Sequence, residues 1–133
     1  MFRNWFEKKP PPLSGAPVVR RLKSYSAESG YVYQYAFEGQ RPLGKPASTE
    51  FVFSASADRK TWHEVSVLVE AAAVSAWEQA HGRELSSTEW YALAKMALFA
   101  AFDERAAPAQ MYADPVRLRA SDVEGIMERL GMD

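Results

Sequence analysis

The chain has 133 residues, 47% of them hydrophobic, no cysteine and a formal net charge of −1. That length is enough for one domain with its own core. The absence of cysteine excludes disulfides, thiolate zinc sites and cysteine nucleophiles. The longest apolar stretch, Trp90 to Phe102, is shorter than the roughly 20 residues that span a bilayer. The first residues lack a long apolar run behind basic ones, so no secretory signal is expected and a soluble, cytoplasmic protein is. Charge is unevenly placed. Residues 1–23 hold Arg3, Lys8, Lys9, Arg20, Arg21 and Lys23 against Glu7 alone, while the remainder is acidic. A basic arm can therefore meet an acidic body, its own or a neighbour's.

The arm comes first, as residues 1–15, ahead of a single domain over 16–133. Phe2, Trp5 and Phe6 stand at i, i+3 and i+4, which sets three aromatics on one side of a helical turn. The proline-rich spacer Lys8 to Gly15 follows, extended and semi-rigid. An aromatic anchor on a stiff tether has the form of a docking peptide, so Phe2, Trp5 and Phe6 are the candidate partner-binding residues.

From Val18 to Val69 the pattern has period two. Val18 to Tyr25 reads as a first strand and Ala27 to Gly30 as a turn. Tyr31 to Glu38 is the clearest strand, with Tyr31, Tyr33, Tyr35 and Phe37 on one face and Val32, Gln34, Ala36 and Glu38 on the other. Gly39 to Pro46 reads as a loop. Strands are expected at Phe51 to Ala57 and Trp62 to Val69, separated by a turn at Asp58 to Thr61.

The composition then turns alanine-rich. Glu70 to His81 reads as a helix stopped by Gly82. Ser86-Ser-Thr-Glu89 has capping-box spacing and opens the long helix that contains Trp90 to Phe102, in which Lys95 is the single charge. That helix is apolar nearly all round and needs cover on more than one side. Arg105 to Pro115 is expected to be a loop and Val116 to Arg119 a short fifth strand. Ser121 to Glu124, again with capping-box spacing, opens a final amphipathic helix closed by Gly131. Strands followed by helices indicate α+β: an antiparallel meander of four to five strands with about three helices packed on one face. A second copy of the chain is expected to cover what its own helices leave open on the long helix, giving a homodimer.

Chemistry-bearing patterns are sparse. Lys95, among aliphatic and aromatic neighbours, could act as a base or Schiff-base nucleophile, but such lysines more often bury the stem and lead the ammonium to water. With Tyr31, Tyr33 and Tyr35 it would line a ligand pocket between sheet and helices. Glu78 and His81 form one Glu-x-x-His pair, at most half of a carboxylate-bridged metal site, and His81 already suits a helix end. His63 and Glu64, adjacent on a strand, face opposite ways. The tyrosine ladder lacks the basic and glycine frame of an RNA-binding sheet, so nucleic acid is disfavoured. No cofactor is expected. The leading expectation is a non-enzymatic protein–protein interaction or self-associating module; the alternative is a small-molecule binder or enzyme built around the tyrosines and Lys95.

Overall fold

The computed structural model describes residues 11–131, so Phe2, Trp5 and Phe6 lie outside the described residues. The chain is α+β, with elements in the order β1 (Lys23–Ser26), β2 (Val32–Leu43), β3 (Ser48–Ser56), β4 (His63–Glu70), α1 (Ala71–His81), α2 (Ser87–Glu104), α3 (Pro108–Ala113), β5 (Val116–Leu118) and α4 (Ala120–Leu130). Among the described residues no helix is long and apolar enough to cross a membrane.

The five strands form one sheet in the order β1-β2-β3-β4-β5. The meander is correct for β1 to β4, which pair antiparallel; β5 instead pairs parallel to β4, with Val67 opposite Val116 and Val69 opposite Leu118. A parallel neighbour requires a long crossover, and α1, α2 and α3 supply it. The helices number four rather than three among the described residues, because Pro108–Ala113 is helical where the sequence suggested a loop. Proline in the first turn fits there, having no N–H to leave unpaired.

Two strand boundaries differ from the sequence reading. β1 begins at Lys23 rather than Val18: Ser14 already takes Gln40 of β2, so residues 15–22 loop out between that bridge and the Lys23–Tyr35 pair. β2 runs on to Leu43, through the expected loop. Glu38 is an extra residue in a bulge: Phe37 opposes Phe53, and Gly39 opposes Val52. Gly39 has φ +135°, and a Cβ there would lie 2.9 Å from Leu13 Cβ and 3.0 Å from the Ser14 carbonyl oxygen. Glycine thus lets the entering chain lie against β2, where Ser14 and Gln40 exchange backbone hydrogen bonds of 2.9 and 2.8 Å. Beyond the β1 pairing, Pro42 is tolerated because that side of β2 carries no neighbouring strand.

β4 passes into α1 without a loop, Glu70 serving as the N-cap, and Gly82 closes α1 at φ +68°. At α2 the expected capping box is present. The Ser86 hydroxyl accepts the Glu89 N–H at 3.2 Å, and the Glu89 carboxylate accepts the Ser86 N–H at 2.9 Å. α4 starts one residue before the expected Ser121, because Asp122, not Glu124, reaches back, accepting the Arg119 N–H at 3.0 Å.

One core joins the inner faces of β2, β3 and β4 (Tyr33, Phe51, Phe53, Val67, Val69) to Leu98 and Phe102 of α2, Trp77 of α1 and Met127 of α4. No residue from Trp90 to Phe102 is exposed. A single chain therefore covers the apolar helix: the aromatic sheet face lies on one side, and β5 and α4 on others. From Trp90 to Phe102, α2 leaves no exposed residue for a second subunit to cover.

Candidate functional site

The expected pocket residues lie in a slab of packed rings. Tyr33, Tyr35 and Phe37 alternate along β2, and Tyr91, Lys95, Phe99 and Phe102 recur along one face of α2, so the two periodicities meet. Tyr33 stacks on Phe102 with centroids 4.2 Å apart, Tyr25 stacks on Phe99 at 4.3 Å, and Phe37 meets Tyr91 edge-on at 4.9 Å. Tyr33 and Tyr35 are buried, whereas Tyr31, at the strand entrance, is 39% exposed. Offset and edge-on ring pairs each add about 0.5–1.5 kcal/mol beyond the area they bury.

Lys95 is half-buried, with Nζ 5.9 Å from the Tyr35 ring and 5.8 Å from the Phe99 ring. Burial, then the Lys23 ammonium from β1, hold its pKa below the ordinary lysine value. No carboxylate pairs with it among the described residues. Two cavities, of about 830 and 300 Å³, lie elsewhere; neither is lined by Tyr31, Tyr33, Tyr35 or Lys95.

A non-local clamp closes the same slab. The Tyr25 hydroxyl donates to Asp103 at 2.7 Å, and Asp103 also accepts the Glu28 N–H at 2.9 Å. Burial, with Asp103 beside it, pushes the Tyr25 pKa up to about 12. No local signal marks Asp103 for this role, because its partners are more than 70 positions away.

The remaining polar candidates are held apart by structural bonds. Glu78 accepts the Leu85 N–H at 2.7 Å, tying the α1–α2 loop, while His81 meets Glu124 of α4 at 3.1 Å and stacks on Trp77 at 4.2 Å. No group of three or more metal-ligating side chains gathers among the described residues. Asp58 accepts the N–H groups of Lys60 and Thr61, each at 2.8 Å, which lowers its pKa to about 2. His63 stacks on Tyr112 at 4.0 Å and forms no pair with Glu64.

The segment before β1 is different. Every residue from Ser14 to Ser24 is exposed. It is pinned at one end by the Ser14–Gln40 bridge and further along by Arg20, whose guanidinium pairs with Glu38 at 2.7 Å and lies 5.6 Å over the Trp62 ring. Between and beyond these pins the apolar side chains face outward: Val18 is fully exposed, Val19 69% and Leu22 56%. Val32, opposite the end of β1, adds another exposed apolar group at 48%. Val18, Val19 and Leu22, expected in a strand, lie instead in the exposed loop between the Ser14–Gln40 bridge and β1.

Compared with known proteins, the chain matches no family model, no curated protein and no solved structure. The class is defined by its own geometry: a mixed five-stranded α+β sheet, closed on one face by helices, with an apolar and basic segment leading into the edge strand.

Proposed function

We propose that the chain is a non-enzymatic interaction module that self-associates, most simply as a homodimer, through residues 16–22 and the aromatic arm with Phe2, Trp5 and Phe6 ahead of them. The observation that carries this reading is a pinned segment whose Val18, Val19 and Leu22 point to solvent. Adjacent exposed apolar groups on a monomer favour burial against a partner. Arg20, Arg21 and Lys23 in the same stretch complement the acidic remainder of a neighbouring copy. Packing supports this reading over a ligand pocket, since the tyrosine rings are occupied by Phe99, Phe102 and one another. We place the module in the cytoplasm on its lack of cysteine, which suits a reducing compartment.

Isotope-filtered NMR on an equal mixture of labelled and unlabelled chains tests the interface. Methyl groups of Val18, Val19 and Leu22 are expected to show intermolecular contacts. Contacts confined to other surfaces, or none at millimolar concentration, would refute this interface.

A further inference from the structure

The larger cavity, of about 830 Å³, lies on the opposite edge of the sheet, between the C-terminal half of α2, β5 and α4. Five consecutive residues of the edge, Pro115 to Arg119, line it, so the backbone of an edge strand forms one wall. An edge strand presents unpaired N–H and C=O groups, a template for another strand. Apolar lining comes from Ala97, Ala100 and Ala101 of α2, Val116 and Leu118 of β5, and Ile126 of α4.

Charge around this groove is predominantly basic, four arginines against Glu104 and Asp122. Arg117, Arg119 and Arg129 line it without a carboxylate partner among the described residues. Arg105 also lines it but holds the carbonyls of Met111, Asp114 and Pro115, at 2.9, 2.6 and 3.0 Å, and so fixes the entry to β5. Of the two carboxylates present, Asp122 is committed to the Arg119 N–H, leaving Glu104.

Gly125 adds an independent observation. It sits inside α4, on the groove, and a Cβ there would meet nothing within 4 Å. Glycine in a helix interior costs about 0.8–1.0 kcal/mol relative to alanine. No close packing and no positive φ requires it here, and a side chain at this position would project into open space.

We propose that this groove binds an acidic, extended peptide segment of a partner protein, which adds to β5 as a further strand. Backbone pairing with β5 supplies affinity, and alternate side chains select acidic residues for Arg117, Arg119 and Arg129. Small apolar groups beside a backbone edge suit a peptide better than nucleic acid, which would call for exposed aromatic platforms or a larger basic footprint. The groove lies away from residues 16–22, so it serves a different partner from the self-association surface.

Selection of short random peptides displayed on phage against the full chain tests the proposal. Enriched peptides are expected to carry Asp or Glu at alternate positions and to slow amide exchange within Val116 to Leu118. Arg117→Glu with Arg129→Glu is expected to weaken them at least about tenfold. Gly125→Phe, which fills the groove and changes no charge, is expected to do the same, while Val18→Asp with Leu22→Asp leaves binding intact. Failure to enrich acidic peptides would overturn the proposal. So would binding that ignores both groove variants, leaves the β5 amides unprotected, or is displaced by single-stranded RNA at low micromolar concentration.

Discussion

Lys95 carries the shift that at first sight most resembles catalytic tuning, yet its surroundings explain that shift through burial and a neighbouring lysine. Among the described residues no carboxylate pairs with it; beside Lys23 its contacts are two rings that attract its charge. Tyr33 offers a sharper residue-scale test. Its hydroxyl is buried without a hydrogen-bond partner among the described residues. An unpaired buried polar group costs about 1–3 kcal/mol, so Tyr33→Phe is expected to melt at or above the temperature of the parent chain. A clear loss of stability in thermal denaturation would show that the hydroxyl is paired. Glu89 supplies a pH dependence. The Arg83 guanidinium, at 2.9 and 3.0 Å, and the Ser86 N–H lower its pKa from 4.5 to about 2. A depressed carboxylate pKa contributes stability above the unfolded value, and that contribution is lost as pH falls from about 4.5 to about 2. In acid titrations of unfolding free energy, Glu89→Gln is expected to lower stability at neutral pH and to flatten the slope across that window. An unchanged slope would remove Glu89 from the account.

At the scale of elements, legibility tracked how local the causes are. The α2 cap was visible because Ser86 and Glu89 satisfy each other within four residues. The α1 stop was visible because Gly82 adopts the left-handed conformation a helix end favours. The inner face of β2 followed from the alternation of Tyr33, Tyr35 and Phe37. What escaped depends on distant partners: β1 starts late because Ser14 bridges to Gln40 and the chain between loops out, and β5 runs parallel because three helices precede it. Asp103 clamps a turn far away in sequence. Gly39 read as the start of a loop rather than as a bulge within β2, since nothing local says that Ser14 returns to pair there. This position yields an element-scale test. Gly39→Ala combines an unfavourable φ with contacts of 2.9 and 3.0 Å, and is expected to cost about 1–3 kcal/mol. The Ser14 and Gln40 amides should lose protection in hydrogen exchange before the rest of β2 does. Equal protection in both proteins would mean that the entering segment does not depend on this glycine.

At the scale of the molecule, the two edges of the sheet are used differently. One is preceded by an apolar, basic segment pinned to β2, the other by a groove in which Arg117, Arg119 and Arg129 have no carboxylate partner among the described residues. The apolar helix that first suggested a second subunit is covered within one chain, and the case for association moves to Val18, Val19 and Leu22. Candidate residues were only partly legible for the same reason: exposure is a property of the assembled sheet, and a run such as Val18-Val19-Arg20-Arg21-Leu22 looks alike whether it is paired or free. The most direct test is the mass of the full chain by light scattering over a range of concentrations, beside the variant Val18→Asp/Leu22→Asp and a chain lacking residues 1–15. The account requires a dimer mass that falls to one chain on dilution, and substitution or deletion must shift that equilibrium toward the monomer. A monomer at every concentration, unchanged by either alteration, would contradict it.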